Sequence, residues 1–170
     1  AILSAAKEEE LKERYPAYII DNAKGFINDI SVVKDSRIAM EHDAVFMHDV
    51  TEGGIFGALY EVAGAARMGL KVDLKKIPIR QETVEICEYF DINPYMLISS
   101  GSMLIVTKDG ATMADALALE GINAAVIGKI TEGNDKIIIN GDETRHLDPP
   151  SCDELYKVKR QLWDQRREYN

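Results

Sequence analysis

The fold of this chain is decided by one continuous stretch, AVFMHDVTEGGIFG at positions 44–57. Its apolar start predicts a strand, its two adjacent glycines predict a tight turn, and the apolar stripe that follows predicts a helix to about Met68. Five residues make that stripe: Ile55, Leu59, Val62, Ala63 and Ala66. The stretch therefore predicts a strand, a turn and a helix in direct succession.

The turn has the features of an anion site. The first backbone N–H groups of a helix have no internal partner, and the helix dipole places partial positive charge at the same end. Gly53 and Gly54 have no Cβ, so a phosphate or a developing oxyanion can approach the backbone. Thr51 is placed to cap the helix. The structural alternative is that the glycines only allow close packing and Thr51 only caps.

Composition limits the classes of function. The 170 residues suit one domain, or one domain with appended helices, and 46% hydrophobic residues suffice for a core. A net charge of -9 argues against a nucleic-acid surface, and the lack of a long apolar run argues against a membrane span. Cys87 and Cys152 lack metal-ligand spacing. They predict reduced thiols in a cytoplasmic protein without a metal site.

The rest of the chain alternates helical and strand patterns. Helices are predicted at about 4–14, 22–41, 53–68, 81–90, 110–120 and from a Ser151–Glu154 capping box onward, and strands at 44–48, 70–74, 103–106, 124–130, 136–139 and 144–147. The segments 44–47 and 103–106 are apolar without alternation, which is typical of strands buried on both faces. We therefore expect one mixed sheet covered by helices on both faces, with the 44–48 strand inside it.

Other side chains near the turn are candidates for chemistry. Asp49 ends the strand, where it would order a substrate or a metal, or cap the next turn. His48 would serve as an acid or base, or have a structural role. Glu52 would repel an anion unless its side chain turns away or pairs with a cation such as Arg80. A second small-residue loop, Ser99-Ser100-Gly101, is either another anion-facing loop or an ordinary connection.

Four ordered motifs resemble a known family. They are His48–Gly54, Gly69–Asp73 with Ile77–Arg80, Asp91–Pro94 with Ser99–Leu104, and Ala125–Ile130. Together they resemble the C-terminal domain of AIR synthase-related proteins over about residues 17–147. The resemblance implies an α+β fold of the PurM C-terminal domain type, with a mixed sheet in a three-layer α/β/α arrangement. It also implies that residues 1–16 are an interdomain linker helix and 148–170 a C-terminal helix.

The resemblance carries expectations about function. Family members use ATP to activate an amide-type oxygen or to make a phosphate compound. Their N-terminal domain holds most of the ATP site, the Mg²⁺ carboxylates and the dimer interface. This chain would be the substrate-side half of such an enzyme, inactive and without cofactor alone, and its partners would be its own N-terminal domain, a second subunit and a small-molecule substrate. Asp49 and His48 are then the catalytic candidates, and Thr51, Glu52, Gly53, Gly54, Ser99, Ser100 and Gly101 the substrate- or anion-binding candidates.

The branch of the family is marked at the two ends of the chain. Ala1–Ser4 resembles the tail of the segment that joins the two domains in the hydrogenase-maturation dehydratase, so an N-terminal domain is expected to be missing. That dehydratase ends in a cysteine, whereas this chain ends in Arg166-Arg167-Glu168-Tyr169-Asn170. The alternative from another class is a domain without catalysis that binds a ligand or regulates.

Overall fold

The computed structural model describes residues 1–158 as a mixture of helices and strands. The helices are α1 (Ile2–Ala6), α2 (Glu8–Lys12), α3 (Ala17–Gly25), α4 (Val33–Glu41), α5 (Gly54–Ala66), α6 (Gln81–Tyr89) and α7 (Gly110–Leu119). The strands are β1 (Ala44–Val50), β2 (Gly69–Asp73), β3 (Ser102–Thr107), β4 (Gly128–Thr131), β5 (Lys136–Asn140) and β6 (Glu143–His146). The α+β class expected from the sequence is confirmed.

The described strands form two sheets, so the expectation of one sheet is wrong. β1 and β3 make an antiparallel pair, and β4-β2-β5-β6 make a four-stranded sheet in that order. The larger sheet is mixed because β2 runs parallel to β5 and antiparallel to β4. Strand hydrophobicity alone does not say which edges pair, and here β3 pairs only with β1 among the described strands.

The position expected for β1 is also wrong. β1 lies at a sheet edge rather than inside a sheet, and Val45 and Phe46 are 62% and 40% exposed. Met47 packs instead toward the cluster formed by α4 and α7, and Val50 is buried. Some side chains of the apolar run are therefore packed in the core, whereas Val45 and Phe46 are exposed to solvent.

Several helix limits differ from the sequence expectation. The helix expected at 22–41 is divided into α3, a 3₁₀ turn at Phe26–Asp29, and α4. The helix expected at 4–14 is broken at Lys7, whose φ of -126° is not helical. α5 ends at Arg67 in the left-handed conformation, whereas Gly69 begins β2. The helical pattern identifies these segments, but it cannot locate breaks that depend on tertiary packing.

Three clusters of buried side chains make the core. One joins α1, α2, α3 and α6 to residues 155–158, so both ends of the described chain pack together. A second lies between α5 and the four-stranded sheet, and a third joins α4 and α7 to the two-stranded sheet. Among residues 1–158, no helix has the length and apolar character needed to cross a lipid bilayer. The remainder of the expected C-terminal helix, 159–170, lies outside the described residues.

Candidate functional site

The two candidate loops lie side by side at one end of the two-stranded sheet. β1 and β3 are antiparallel, and Val50 at the end of β1 is paired with Ser102 at the start of β3. The glycine turn at 51–54 therefore leaves the sheet next to the loop at 99–101. The structure thus brings together two groups of residues that lie about fifty positions apart in the sequence.

Gly54 is the residue at which the backbone of the turn makes its closest approach to another segment. It is buried with φ +61°, and a Cβ there would lie 2.7 Å from the carbonyl oxygens of both Tyr95 and Leu97. Its N–H donates to the carbonyl of Thr51 at 3.1 Å. The close-packing interpretation therefore has direct support at Gly54. Thr51 contributes its backbone carbonyl here, and the N-cap of α5 is Gly53.

Gly53 has a different environment from Gly54. Its φ is +82°, but a Cβ would meet nothing closer than 3.5 Å. As the N-cap of α5 it has no side chain that can cap the helix. Its N–H instead donates to Asp153 Oδ2 at 2.7 Å, across 100 residues of sequence. A carboxylate near a helix N-terminus is stabilised by the exposed N–H groups and by the helix dipole.

Asp153 belongs to residues 148–158, which we call the C-terminal strap. Residues 148–152 are exposed, whereas Asp153 and Glu154 are 4% and 1% exposed. The other oxygen of Asp153, Oδ1, accepts the N–H of Leu155 at 2.8 Å, which caps the helical residues 155–158. The cap that the sequence placed at Ser151 is therefore Asp153. One carboxylate caps two helices.

Glu154 fixes the strap to the turn at Pro94–Met96. Its Oε2 accepts the N–H of Asn93 at 3.2 Å, and its own N–H donates to the carbonyl of Met96 at 3.3 Å. Lys157 forms an ion pair with the same carboxylate. Because Gly54 packs on the neighbouring Tyr95 and Leu97, the strap, this turn and the glycine turn form one assembly.

The two catalytic candidates on β1 have different surroundings. Asp49 is exposed at the strand end. His48 points toward α5, where Nε2 lies 2.9 Å from Glu61 Oε2, and Nδ1 lies 2.6 Å from the Asp49 carbonyl oxygen. This geometry provides the partner that a structural role for His48 requires, since the ring joins the strand to the helix. Among residues 1–158, no cluster of three or more acidic, histidine or cysteine side chains has metal-site geometry.

The second loop is held by a side-chain hydrogen bond and by close packing at its glycine. The Ser99 hydroxyl donates to the Leu97 carbonyl at 2.8 Å, whereas Ser100 is exposed. Gly101 has φ +96°, and a Cβ there would clash with the carbonyl oxygen of Asp29. A cavity of about 1090 Å³ is lined by all three loop residues and by both sheets, but residues 51–54 do not line it. A glycine is therefore needed at position 101, where the loop backbone approaches Asp29, while Ser100 remains accessible to solvent.

The charges around the turn are mainly negative. Glu52 is exposed, and within the described chain it has no ion pair. The suggested partner, Arg80, lies over the ring of Phe26 at 5.3 Å instead. Arg145 lies over Phe56, in the first turn of α5, at 5.5 Å. Arg145 thus contacts the first turn of α5.

The two cysteines have different surroundings. Cys87 is buried, and burial, followed by the charge of Glu154, raises the pKa of its thiol to about 12. Cys152 is exposed within the strap, and both thiols are free. Because the thiolate is the nucleophilic form, Cys87 is inert at neutral pH.

The chain is similar in sequence to known proteins. Carbamoyl dehydratase HypE of Rhodobacter capsulatus is 32% identical over 85 residues, which cover 48% of this chain and 25% of HypE. Phosphoribosylformylglycinamidine synthase subunit PurL of Caldanaerobacter subterraneus is 33% identical over 108 residues, which cover 59% of this chain and 14% of PurL. The chain therefore spans a quarter or less of the length of these curated relatives.

Solved structures share the fold. HypE of E. coli, a hydrogenase maturation protein, aligns with a TM-score of 0.66 at 21% identity, covering 76% of this chain and 44% of that one. HypE in complex with ATP aligns with a TM-score of 0.57 at 18% identity, covering 81% and 41%. The family described as AIR synthase related protein, C-terminal domain, matches residues 29–140. Since this match covers more than half of the sequence, the chain belongs to the AIR synthase-related family through its C-terminal domain.

Proposed function

We propose that this chain is the substrate-side domain of an ATP-dependent enzyme that activates an amide-type oxygen or makes a phosphate compound. Membership of the family is the observation that carries the proposal. The carbamoyl dehydratase and the amidine synthase among the relatives both have names that indicate chemistry at an amide-type group. The branch that includes the hydrogenase-maturation dehydratase is the one we propose, because carbamoyl dehydratase HypE is among the relatives more than 30% identical in sequence.

The proposed division of labour places the nucleotide outside this chain. ATP and Mg²⁺ would be bound mainly by an N-terminal domain of the full-length protein, which would also form the homodimer. The family includes a structure with bound ATP, whereas the described part of this chain has no cluster suited to a metal. Residues 17–147 would form the family domain, with 1–16 as linker and 148–170 as C-terminal helix. A cytoplasmic location fits the two free thiols.

Within this chain, the glycine turn is the proposed contact with an anionic group of the substrate or nucleotide. Gly53 supplies an N–H at the start of α5 without a side chain in the way. Ser100 lies on the neighbouring loop and is exposed. Asp49 ends the same strand and is accessible for ordering a substrate. His48 would then position the strand through Glu61 rather than transfer a proton.

One observation favours the second candidate function, a binding or regulatory module without catalysis. The N–H of Gly53, which the enzyme proposal assigns to an anion, is already bonded to Asp153. In a module that has lost catalysis, this internal bond would simply be permanent. In the enzyme proposal, this bond would have to break before an anion could accept the Gly53 N–H.

An isotope experiment on the full-length parent protein separates these functions. The protein would be incubated with Mg²⁺-ATP and a carbamoyl or formylglycinamide substrate labelled with ¹⁸O at the amide oxygen. With ammonium present as the nitrogen donor for amidine formation, the activated oxygen leaves as inorganic phosphate that carries the ¹⁸O, and the isotope shift in ³¹P NMR detects it; a carbamoyl group instead loses its N–H protons as the same phosphate leaves. Unlabelled phosphate ester in the product indicates the phosphate-making reaction instead. A protein that neither binds Mg²⁺-ATP nor forms ADP would support the module.

A further inference from the structure

The outer edge of β6 carries backbone groups that no described strand binds. β6 ends the β4-β2-β5-β6 sheet, it pairs only with β5 among the described strands, and all four of its residues are exposed. The N–H of Leu147 donates to the carbonyl of Lys136 at 2.7 Å, and bonded and non-bonded pairs alternate along an antiparallel ladder. Thr144 and His146 therefore stand at non-bonded pairs, so their N–H and C=O groups point away from β5.

The side chains along this edge have a mirrored order of charge. The sequence there is Asp142-Glu143-Thr144-Arg145-His146. Two acidic residues precede the threonine, and two basic residues follow it at the same spacing. All five are exposed, and within the described chain none of them forms an ion pair. Charges on an edge strand normally discourage pairing with other strands. This order of charges favours one partner, a second copy of the same strand that runs in the opposite direction.

We propose that β6 is a dimerisation edge, along which two copies of this chain pair antiparallel about a two-fold axis at Thr144. Residues at equal distances on either side of Thr144 then face each other across the axis. Glu143 faces Arg145 of the second copy, and Asp142 faces His146 of the second copy. Because the axis repeats each pair, the contact contains four pairs of opposite charge around one Thr–Thr pair. Both kinds of pair stabilise neighbouring antiparallel strands.

Backbone geometry and charge select the same register. Two-fold symmetry requires one residue to face its own copy, and hydrogen bonding requires that the backbone groups of this residue point outward. Thr144 meets both conditions, so its N–H donates to Thr144 of the second copy and its C=O accepts in return. A shift of the centre by one residue would place Glu143 opposite Glu143, or Arg145 opposite Arg145. Such a register opposes like charges and needs backbone groups that β5 already binds.

The two faces of the joined strands fit the surrounding fold. Arg145 pairs in register with Ile138, which is buried against α5, and its guanidinium lies over Phe56. The Glu143–Arg145 pairs therefore form on the α5 side of the sheet, and the Thr144 pair forms on the opposite side. Across the two copies, the joined sheet has the strand order β4-β2-β5-β6-β6-β5-β2-β4.

The expected contact is small. It involves residues 142–146 of each copy, so it lies well below the area of about 1,000 Å² that a stable interface needs, and we expect a Kd of roughly 0.1–1 mM. The contact is separate from the dimer interface expected in an N-terminal domain. The inference therefore does not rest on the proposed function.

The first test is a dilution series of the ¹⁵N-labelled 170-residue chain at constant ionic strength, from about tenfold above to about tenfold below this Kd. Sedimentation equilibrium on the same samples measures the mass. We expect the amide signals of Thr144 and His146 to shift with one apparent Kd, which matches the dissociation of a dimer. The amides of Glu143 and Arg145 should shift less, because they stay bonded to β5. Constant signals at Thr144 and His146 throughout the series would overturn the proposal.

Charge reversal gives the second test. Glu143→Arg and Arg145→Glu each place like charges opposite each other, so each variant alone should dimerise at least about tenfold more weakly than wild type. In a mixture of the two variants, each arginine faces a glutamate of the other variant at both positions. Addition of unlabelled Arg145→Glu to ¹⁵N-labelled Glu143→Arg should therefore restore the shifts of Thr144 and His146. An unchanged Kd for Glu143→Arg, or a mixture that associates no better than either variant alone, would overturn the proposal.

Glu132→Arg is the matched control, because it makes the same change of charge in the exposed loop between β4 and β5. It should leave the Kd within about twofold of wild type, as expected for a screened surface charge. An effect as large as that of Glu143→Arg would show that net charge, rather than the β6 edge, controls association. If Arg145→Glu does not fold by circular dichroism, the wild-type dilution series and Glu143→Arg decide the question.

Discussion

Substitution of the two adjacent glycines by alanine separates backbone strain from steric clash. Both residues have positive φ, +82° at Gly53 and +61° at Gly54, and an L-residue there loses about 1–2 kcal/mol. At Gly54 the new Cβ would also lie 2.7 Å from two carbonyl oxygens, and such overpacking costs about 1–3 kcal/mol more. We therefore expect Gly54→Ala to lower the free energy of unfolding by about 2–5 kcal/mol and Gly53→Ala by about 1–2 kcal/mol.

Urea denaturation followed by circular dichroism measures both losses. Gly64→Ala is the matched control, because Gly64 lies within α5 with no atom near its Cβ position and should stabilise the chain by up to about 1 kcal/mol. Equal losses for Gly53→Ala and Gly54→Ala would refute the packing argument. The same reasoning makes bulky residues at Gly54 unsuitable for testing catalysis, because they would disturb the fold first.

Four more outcomes are expected. Leu59 is buried in the cluster between α5 and the four-stranded sheet, so Leu59→Ala should lower the free energy of unfolding by about 2–5 kcal/mol. Leu119 is 89% exposed, so Leu119→Ala should leave the free energy of unfolding nearly unchanged. Similar losses for the two variants in urea titrations would contradict the assigned core. At pH 8 a maleimide should label exposed Cys152 and spare Cys87, because burial raises the pKa of the Cys87 thiol to about 12. A rise in pH beyond the ordinary thiol pKa should destabilise the fold, because Cys87 then loses its proton in the unfolded chain and keeps it in the folded chain. Asp109→Ala should lower the Tm at neutral pH and have little effect in acid. Hydrogen bonds at the start of α7 lower the pKa of the Asp109 carboxyl, so its capping is lost as the pH falls through that lowered pKa. A difference in Tm that does not depend on pH would contradict this reason. Isothermal titration of the chain with Mg²⁺-ATP should show no micromolar binding, and such binding would show that the nucleotide site is not confined to another domain.

The local elements could be predicted from the sequence where one pattern dominates. The strand, turn and helix from Ala44 to Ala66 follow the apolar run, the paired glycines and the helical stripe, and the structure contains all three. α6 and α7 lie within one residue of the predicted limits, because Pro78 and the polar pair Lys108-Asp109 precede them and Asp91 and Gly121 follow them. These patterns depend only on residues close together in the sequence, so the elements they indicate can be predicted without knowledge of the tertiary structure.

The long-range features could not be predicted in this way. The exposed side chains of β1 are of the same apolar types as the buried ones. The sequence therefore does not indicate which face of the strand has no other element packed against it. The partner of Gly53 is a residue 100 positions away, and only the folded path of the strap brings it to the turn. The pairing of His48 with Glu61 likewise depends on the packing of α5 against β1. Candidate loops can therefore be recognised from sequence, while the groups that occupy them cannot.

The remote cap of α5 also has a consequence for the order of folding. The helix is complete at residue 66, but the acceptor for the N–H of its N-cap residue, Gly53, is part of the chain only after residue 153 has been made. Closing so long a loop costs more entropy than the local contacts of the turn, so this bond is expected to form after the main folding barrier. Loss of the Asp153 carboxylate should then speed unfolding while leaving the refolding rate nearly unchanged. A nascent chain carries α5 without its cap until residue 153 has left the ribosome.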